Sequence, residues 1–252
     1  MNRAARLGAI LQRLSEAGNV DVTELSAALE VSQATVRRDL QALHEQRLIE
    51  RTHGGAVTIS GLHELPMRYR SSRQREEKQR IARAALGHVR DGMSVALTGG
   101  TTTTEVGRAL LKRSDLTIVT NAINIAAELA VRPDINLVVT GGVARAASFE
   151  LVGPLAELVL GRMNVDVAFV GVDGISARAG ITTHREIEAH TNRTMQERAH
   201  RVVVVADASK IGRVVLARIA GCEDVDTLIT TTGADPGERD AIAALGVEVE
   251  EV

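Results

Sequence analysis

Apolar residues recur at helical spacing in the N-terminal part of the chain, in short blocks separated by polar breaks. Leu7, Ile10, Leu11 and Leu14 form one stripe, which Gly18 ends. Thr23 is placed to cap a second helix over 24–29, and Ser32 to cap a third. In the third, Val36, Leu40 and Leu43 fall at i, i+4 and i+7 and turn toward a core. Ala34, Arg38 and Gln41 then lie on the outer side, flanked by Thr35 and Arg37. Ser32 and Gln33 stand at the helix start, where free amides can meet phosphate. The pattern next predicts two strands, 48–51 and 56–59, around His53, Gly54 and Gly55, whose glycines tolerate the positive φ of a hairpin turn. Helix, tight turn, helix and hairpin make a winged helix-turn-helix, with the third helix in the major groove of duplex DNA and Arg51 and His53 near phosphate.

Periodicity lapses over the linker expected at 59–75, GLHELPMRYRSSRQ at its heart, and returns as an amphipathic helix over 76–88. Beyond it, apolar runs alternate with helical segments. MSVAL, LTIVT, INLVV, DVAFV, RVVVVA and DTLIT read as strands, separated by helices such as 105–111, 121–130, 154–160 and 184–199. Runs without strict alternation suit a parallel sheet covered on both faces. The expected fold class is therefore α/β: a winged helix-turn-helix head over 3–58, then a Rossmann-like, mostly parallel domain over 76–252.

In such a sheet, ligands gather where strands end and helices begin. LTGGTTTT is the densest candidate: Gly99 and Gly100 let backbone approach an anion, Thr101, Thr102 and Thr103 offer hydroxyls, and a helix starting near Thr102 adds its amides. It is neither GxGxxG nor GxxxxGK[ST], which disfavours a nicotinamide cofactor or ATP, and no cofactor is expected. Read alone, the segment is equally a threonine-rich turn. Other strand ends supply Thr120–Asn121, Thr140-Gly141-Gly142, Asp173–Gly174 and the stretch from Asp207 to Gly212, with Lys210 able to bring a point charge. His184 and Glu188 share a face of the predicted 184–199 helix at i, i+4, with His190 turned away, a pair that falls short of a metal site.

Composition narrows the possibilities. The 252 residues, 44% hydrophobic, suit a small head plus one larger domain. Cys222 is the single cysteine, which excludes an internal disulfide and fits a reducing cytoplasm. No apolar run approaches the roughly 20 residues of a membrane span, so no membrane partner is expected. Positions 1–57 carry seven arginines against seven acids, so the head must bind phosphate by arrangement rather than by net charge. Positions 67–90 hold eight basic and two acidic side chains and could add nonspecific attraction to DNA or simply be solvated. With Tyr69, Phe149 and Phe169 as the aromatic side chains and no Trp, a base-stacking platform for single strands is disfavoured, leaving duplex DNA.

VTELSAALEVSQATVRRDLQAL followed by LIERTHGGAV resembles the DNA-binding domain of the DeoR family of bacterial transcriptional regulators. Downstream, LTGGTTTTEV, IVTN, VTGG, LVGP, FVGVDGI, GITT, EAHTNR and VADASKIGR are similar, in order and spacing, to that family's sensor domain. The resemblance implies a cytoplasmic repressor of carbohydrate genes that binds operator DNA as a homo-oligomer, dimer or tetramer. Its sensor would have the fold of sugar-phosphate isomerases and bind a phosphorylated sugar effector without turning it over. It further implies that Gly99 to Thr103 bind phosphate with Lys210, and that Asn121, Asp173, Glu188 and Arg193 line the pocket. Thr98 stands where the family often has Asp, and Asn192 where it often has Lys. An alternative is an active isomerase or deaminase using Asp173, Glu188 or Lys210 as acid and base, for which the outward RRDL helix would have no use.

Overall fold

The computed structural model describes residues 1–58, 66–71 and 74–252, and divides into two compact units, Met1–Arg73 and Gln74–Val252. The first contains α1 (Arg3–Ala17), β1 (Asn19–Asp21), α2 (Val22–Leu29), α3 (Gln33–Glu45), β2 (Ile49–Arg51), β3 (Gly55–Thr58) and α4 (Met67–Arg70). The predicted stripes close its core: Leu7, Ile10, Leu11, Leu14, Leu25, Val36, Leu40 and Leu43 are all buried. Gly18 ends α1 in the left-handed conformation at φ 76°, as expected of a C-terminal glycine. The cap of α2 is Asp21 rather than Thr23: its Oδ1 accepts from the amides of Thr23 at 2.6 Å and Glu24 at 3.3 Å. A carboxylate there also meets the positive end of the helix dipole, and it is held below the usual carboxylate range by those amides.

The wing is present, with β3 at the centre of an antiparallel sheet ordered β1-β3-β2. β1 was not anticipated, and it changes the role of the turn glycines. Neither Gly54 nor Gly55 has positive φ; Gly55 is needed because a Cβ there would stand 1.8 Å from the Val20 carbonyl oxygen. Gly55→Ala must therefore part β1 from β3, and a loss on the order of 2 kcal/mol in head stability is expected, checked by thermal unfolding. Within the expected linker, α4 packs on α1 and buries Met67 and Tyr69, and the Tyr69 hydroxyl donates to Gln46 Oε1 at 2.6 Å. Residues 59–65 and 72–73, which include Ile59 of the predicted wing strand, lie outside the described residues.

The second unit begins with α5 (Arg75–Ala85) and runs through β4 (Ser94–Leu97), α6 (Thr101–Leu110), β5 (Thr117–Thr120), α7 (Ile123–Leu129), β6 (Asn136–Val139), β7 (Val143–Ala144) and β8 (Leu151–Val152). It continues with α8 (Pro154–Leu160), β9 (Val165–Gly171), β10 (Gly174–Ser176), β11 (Gly180–Thr183), α9 (Glu186–Gln196), β12 (Ala199–Val205), β13 (Ala217–Ala220), β14 (Thr227–Thr230), α10 (Pro236–Ala243) and β15 (Glu248–Glu251). A seven-stranded sheet has the order β15-β14-β12-β9-β4-β5-β6, and every pairing in it is parallel. Ala168, Val170, Val202 and Val204 join one core cluster, and Val167, Phe169, Val203 and Val205 the other. Both faces of the two central strands are thus covered over 167–170 and 202–205, which is why those stretches are apolar without a break, while Asp166, His200 and Arg201 stand nearer the strand starts. Six of the seven strands are the six predicted runs. The seventh, β15, is an edge strand reading EVEE whose glutamates lie against Arg201, His88 and Arg239, and so carries little apolar signal.

β10, β11 and β13 form a separate antiparallel sheet, and β7 pairs with β8. His184 precedes α9, so the shared helical face proposed for His184 and Glu188 does not exist. No described helix is long and apolar enough to cross a membrane.

Candidate functional site

On the head, α3 buries Val36, Asp39, Leu40 and Leu43 and leaves Arg37 and Arg38 in solvent. Ser32 caps it as expected, its Oγ accepting from the Thr35 amide at 3.2 Å and lying 3.0 Å from Thr35 Oγ1. Gln33 is exposed beside Thr23, with Nε2 3.5 Å from Thr23 Oγ1. Wing and helix are tied together: Arg51 Nη1 donates to Gln41 Oε1 at 2.6 Å, and Gln41 Nε2 donates to Glu45 Oε1 at 2.9 Å. His53 is exposed at the wing tip. Arg3, Arg37, Arg38 and Arg51 line one open depression with Gln41, Ala42 and Glu45. Arg3 was not among the expected residues, because its place on this face depends on how α1 crosses α3.

This array explains how a neutral head can still attract phosphate. Asp39 is buried under α1, where its carboxylate meets Arg6 Nε at 2.5 Å and Arg6 Nη2 at 3.3 Å. That hydrogen bond raises the Arg6 pKa. One of the seven acids is thereby neutralised inside, and Asp21 is occupied at a helix cap. Four guanidinium groups share the depression with one carboxylate, Glu45.

In the second unit, the parallel strands bring their C-terminal ends to one edge. Gly99 and Gly100 turn the chain from β4 into α6, with Gly100 at φ 136° as the N-cap. The amides of Thr101, Thr102 and Thr103 open the helix and have no partner within it. The threonine hydroxyls differ from expectation: those of Thr103 and Thr104 both donate to the Gly100 carbonyl, at 3.0 and 2.6 Å. Two of the hydroxyls are thus turned onto the backbone, and Gly100 and Thr101 are the half-exposed residues of the turn. Thr98 is fully buried, and its Oγ1 accepts from the Gly171 amide at 2.9 Å, which fixes β4 against the end of β9. Asn121, at the end of β5, is buried and donates to the Leu151 carbonyl at 3.3 Å.

Asp173, Glu188 and Lys210 converge from three elements. The Thr183 hydroxyl lies 3.1 Å from Asp173 Oδ2 and 3.3 Å from Glu188 Oε2, and Lys210 Nζ is 3.9 Å from Asp173 Oδ1. Lys210 is set by a short 3-10 turn, Ala208–Lys210, which Asp207 caps through the Ser209 amide at 3.1 Å. Arg193 is not part of this group. Five residues beyond Glu188, it leaves α9 on another side, where Nε donates to the Ile219 carbonyl at 2.6 Å beside depressions lined by Arg218.

Two family descriptions match the chain: the DeoR-like helix-turn-helix domain over residues 6–61 and the DeoR C terminal sensor domain over residues 73–232. The HTH-type transcriptional regulator GlpR of Haloferax volcanii is 37% identical over 98% of this chain and 96% of that protein. The glycerol-3-phosphate regulon repressor of Escherichia coli K12 is 33% identical over 91% of each chain. This chain belongs to the DeoR family of transcriptional regulators. Among solved structures, ribose 5-phosphate isomerase from Plasmodium falciparum aligns with a TM-score of 0.39 and 18% identity over 53% of this chain and 51% of that one.

In this DeoR-family sensor, sequence reasoning missed Glu150 and Arg145. Glu150 Oε1 accepts from the Gly99 amide at 3.1 Å. Its side chain lies so close that a Cβ on Gly99 would fall 2.2 Å from Glu150 Cγ. Burial, and then the neighbouring Glu188, push the Glu150 carboxyl up to about 8. Arg145 forms an ion pair with Glu188. Nothing local marks Glu150 within SFELVGP. It reaches the site because Phe149 takes φ 60° and the segment bridges Ala122 at the end of β5.

Proposed function

We propose that this DNA-binding regulator is a repressor of carbohydrate genes, and that a phosphorylated sugar bound at the β4–α6 turn sets its operator affinity. The observation that carries the DNA half is the open array of Arg3, Arg37, Arg38 and Arg51 around the outer side of α3. For the sensor, the support is chemical: a glycine turn leading into helix amides suits a phosphate, and Lys210 with Asp173 and Glu188 supplies one cation and hydroxyl-binding carboxylates. The name of the Escherichia coli relative, a glycerol-3-phosphate regulon repressor, fits a phosphate ester as the signal.

Control requires the ligand to bind the DNA-bound and released forms unequally, since equal affinity shifts neither. A homo-oligomer would provide the lever by setting the spacing of two recognition helices on successive half-sites. Anisotropy of a labelled operator duplex, selected from a random pool by its binding to the protein, tests the reading. Titration with a panel of sugar phosphates is expected to change the bound fraction with one ester and not with its dephosphorylated form. A response to none of them would defeat the sensing role. Turnover of the responsive ester by clean protein would favour the isomerase or deaminase alternative.

A further inference from the structure

On one side of the parallel sheet, the outer surface of the second unit is apolar where a solvated surface is expected. α8 turns Ala156 and Leu160 into the core and leaves Leu155 and Leu158, about one helical turn apart, 65% and 56% exposed. α9 runs beside it: the Gly153 amide, just ahead of α8, donates to Thr191 Oγ1 at 3.2 Å, and the Thr191 hydroxyl lies 3.2 Å from Glu157 Oε1. Ile187, 44% exposed, continues the apolar surface from α8 onto α9, since a Cβ on Gly153 would meet its Cδ1 at 3.7 Å. Leu216 stands 86% exposed along α9 as well, beside Ala189, His190 and Arg193.

These four large aliphatic side chains leave several hundred Å² of apolar surface in water, a size that on a single chain marks a binding surface. A stable dimer buries about 800 Å² from each partner, with a core of roughly 65% apolar area. The four side chains supply most of such a core. The distribution of charge then says which partner fits. In a symmetric pair, a side chain on the two-fold axis meets its own copy, so a charge there would face a like charge. The outer face of α8 carries none: its one ionisable residue, Glu157, is half-buried and turned onto Thr191. Exposed charges stand to the sides, Arg162 beyond the end of α8 and Arg185 and Glu186 at the start of α9, as in the polar rim of an interface.

We propose that the outer face of α8 and α9 is where two copies of this chain meet, with α8 of each copy against α8 of the other at the two-fold axis. This gives the homo-oligomer of the reading above its surface; it rests on that reading for the presence of a second copy and not for the identity of any ligand. α9 then has two sides with separate tasks. Glu188 turns inward to the Thr183 hydroxyl and Arg145, while Ile187, the residue before it, faces the second copy.

Sedimentation velocity of the full-length protein over a micromolar concentration series measures the association. The parent chain, of 26.9 kDa, is expected at twice that mass or more. Leu158→Glu and Ile187→Glu, one on each helix, should each raise the dissociation constant roughly hundredfold or more, because each would bury an unpaired charge between the copies. Both replace exposed side chains, so the circular dichroism melt should stay at the temperature of the dissociated parent. Val131→Glu is the control. Val131 is 78% exposed, but it follows α7, whose Ile125 and Leu129 pack in the core on the opposite face of the sheet from Leu160 and Ala189, and its replacement should leave association unchanged. A parent protein that stays monomeric throughout overturns the proposal and removes the homo-oligomer from the reading above. A parent oligomer that persists in either Leu158→Glu or Ile187→Glu overturns the proposal alone and leaves the copies meeting through another surface. Dissociation by Val131→Glu to the same degree overturns it as well.

Discussion

Arg38→Ala lowers operator affinity roughly tenfold or more while the head melts at its parental temperature. Arg38 is exposed on the face of α3 opposite Val36, Leu40 and Leu43, and lines the depression shared with Arg3, Arg37 and Arg51. Its removal takes no side chain from the core, so folding has little reason to change. A guanidinium reading a base edge contributes about 1–3 kcal/mol, and one on phosphate contributes a salt-dependent share. The two are separable by experiment. Loss of a base contact falls on operator and spares random duplex, whereas loss of a phosphate contact weakens both and lowers the salt slope by about one. From its outward position Arg38 is expected to behave as a base reader and the flanking Arg37 as a phosphate contact. Filter binding on operator and scrambled duplex across a salt series measures this. Unchanged operator binding by Arg38→Ala would remove α3 from the major groove.

Much of this was legible in the sequence, and what was not follows a physical pattern. Helical stripes such as Leu7, Ile10, Leu11 and Leu14, and apolar runs such as RVVVVA, are local consequences of burying one face or both, so they appear in the chain itself. The Ser32 cap and the Gly18 stop are equally local. Misses arise where the reason for a residue lies on another element. Gly55 was read as a turn residue, although its actual constraint is the Val20 carbonyl across the sheet. The edge strand β15 is mostly glutamate because one side of it is solvent. In the sensor, the glycine turn, Asp173 and Lys210 carried recognisable strand-end positions, and Glu188, on a helix, entered through the resemblance. Glu150 and Arg145 did not, since a segment with no regular repeat delivers them to Gly99 and Glu188. Arg193 is a different case: the resemblance implied a place in the pocket with Glu188, whereas its side chain leaves α9 on another side and donates to the Ile219 carbonyl.

The Asp of RRDL carries the largest stability effect expected in the head. Asp39 is 3% exposed at its side chain and holds Arg6, 13% exposed, across the α1–α3 contact. Arg3 lies 3.7 Å away at 66% exposure and adds little. Asp39→Ala leaves the Arg6 guanidinium under α1 without its counterion, which costs on the order of 3 kcal/mol. For a domain of this size such a loss lowers the melting temperature by on the order of 10–20 °C. Operator binding should fall with it, but for a reason opposite to that of Arg38→Ala: here the helix loses its seat rather than its reading group. Since the penalty belongs to the stranded cation rather than to the missing attraction, a second change should repair it. Replacing both partners, Arg6→Met with Asp39→Leu, is expected to recover most of the melting temperature, and with it DNA binding, because the outward arginines are untouched. Thermal unfolding of the two variants beside the parent protein makes the comparison. An Asp39→Ala head melting within about 2 °C of the parent would reduce the pair to the small value of an exposed ion pair. A double variant no more stable than the single one would mean that the ion pair itself, and not the relief of a buried charge, holds α3 in register against α1.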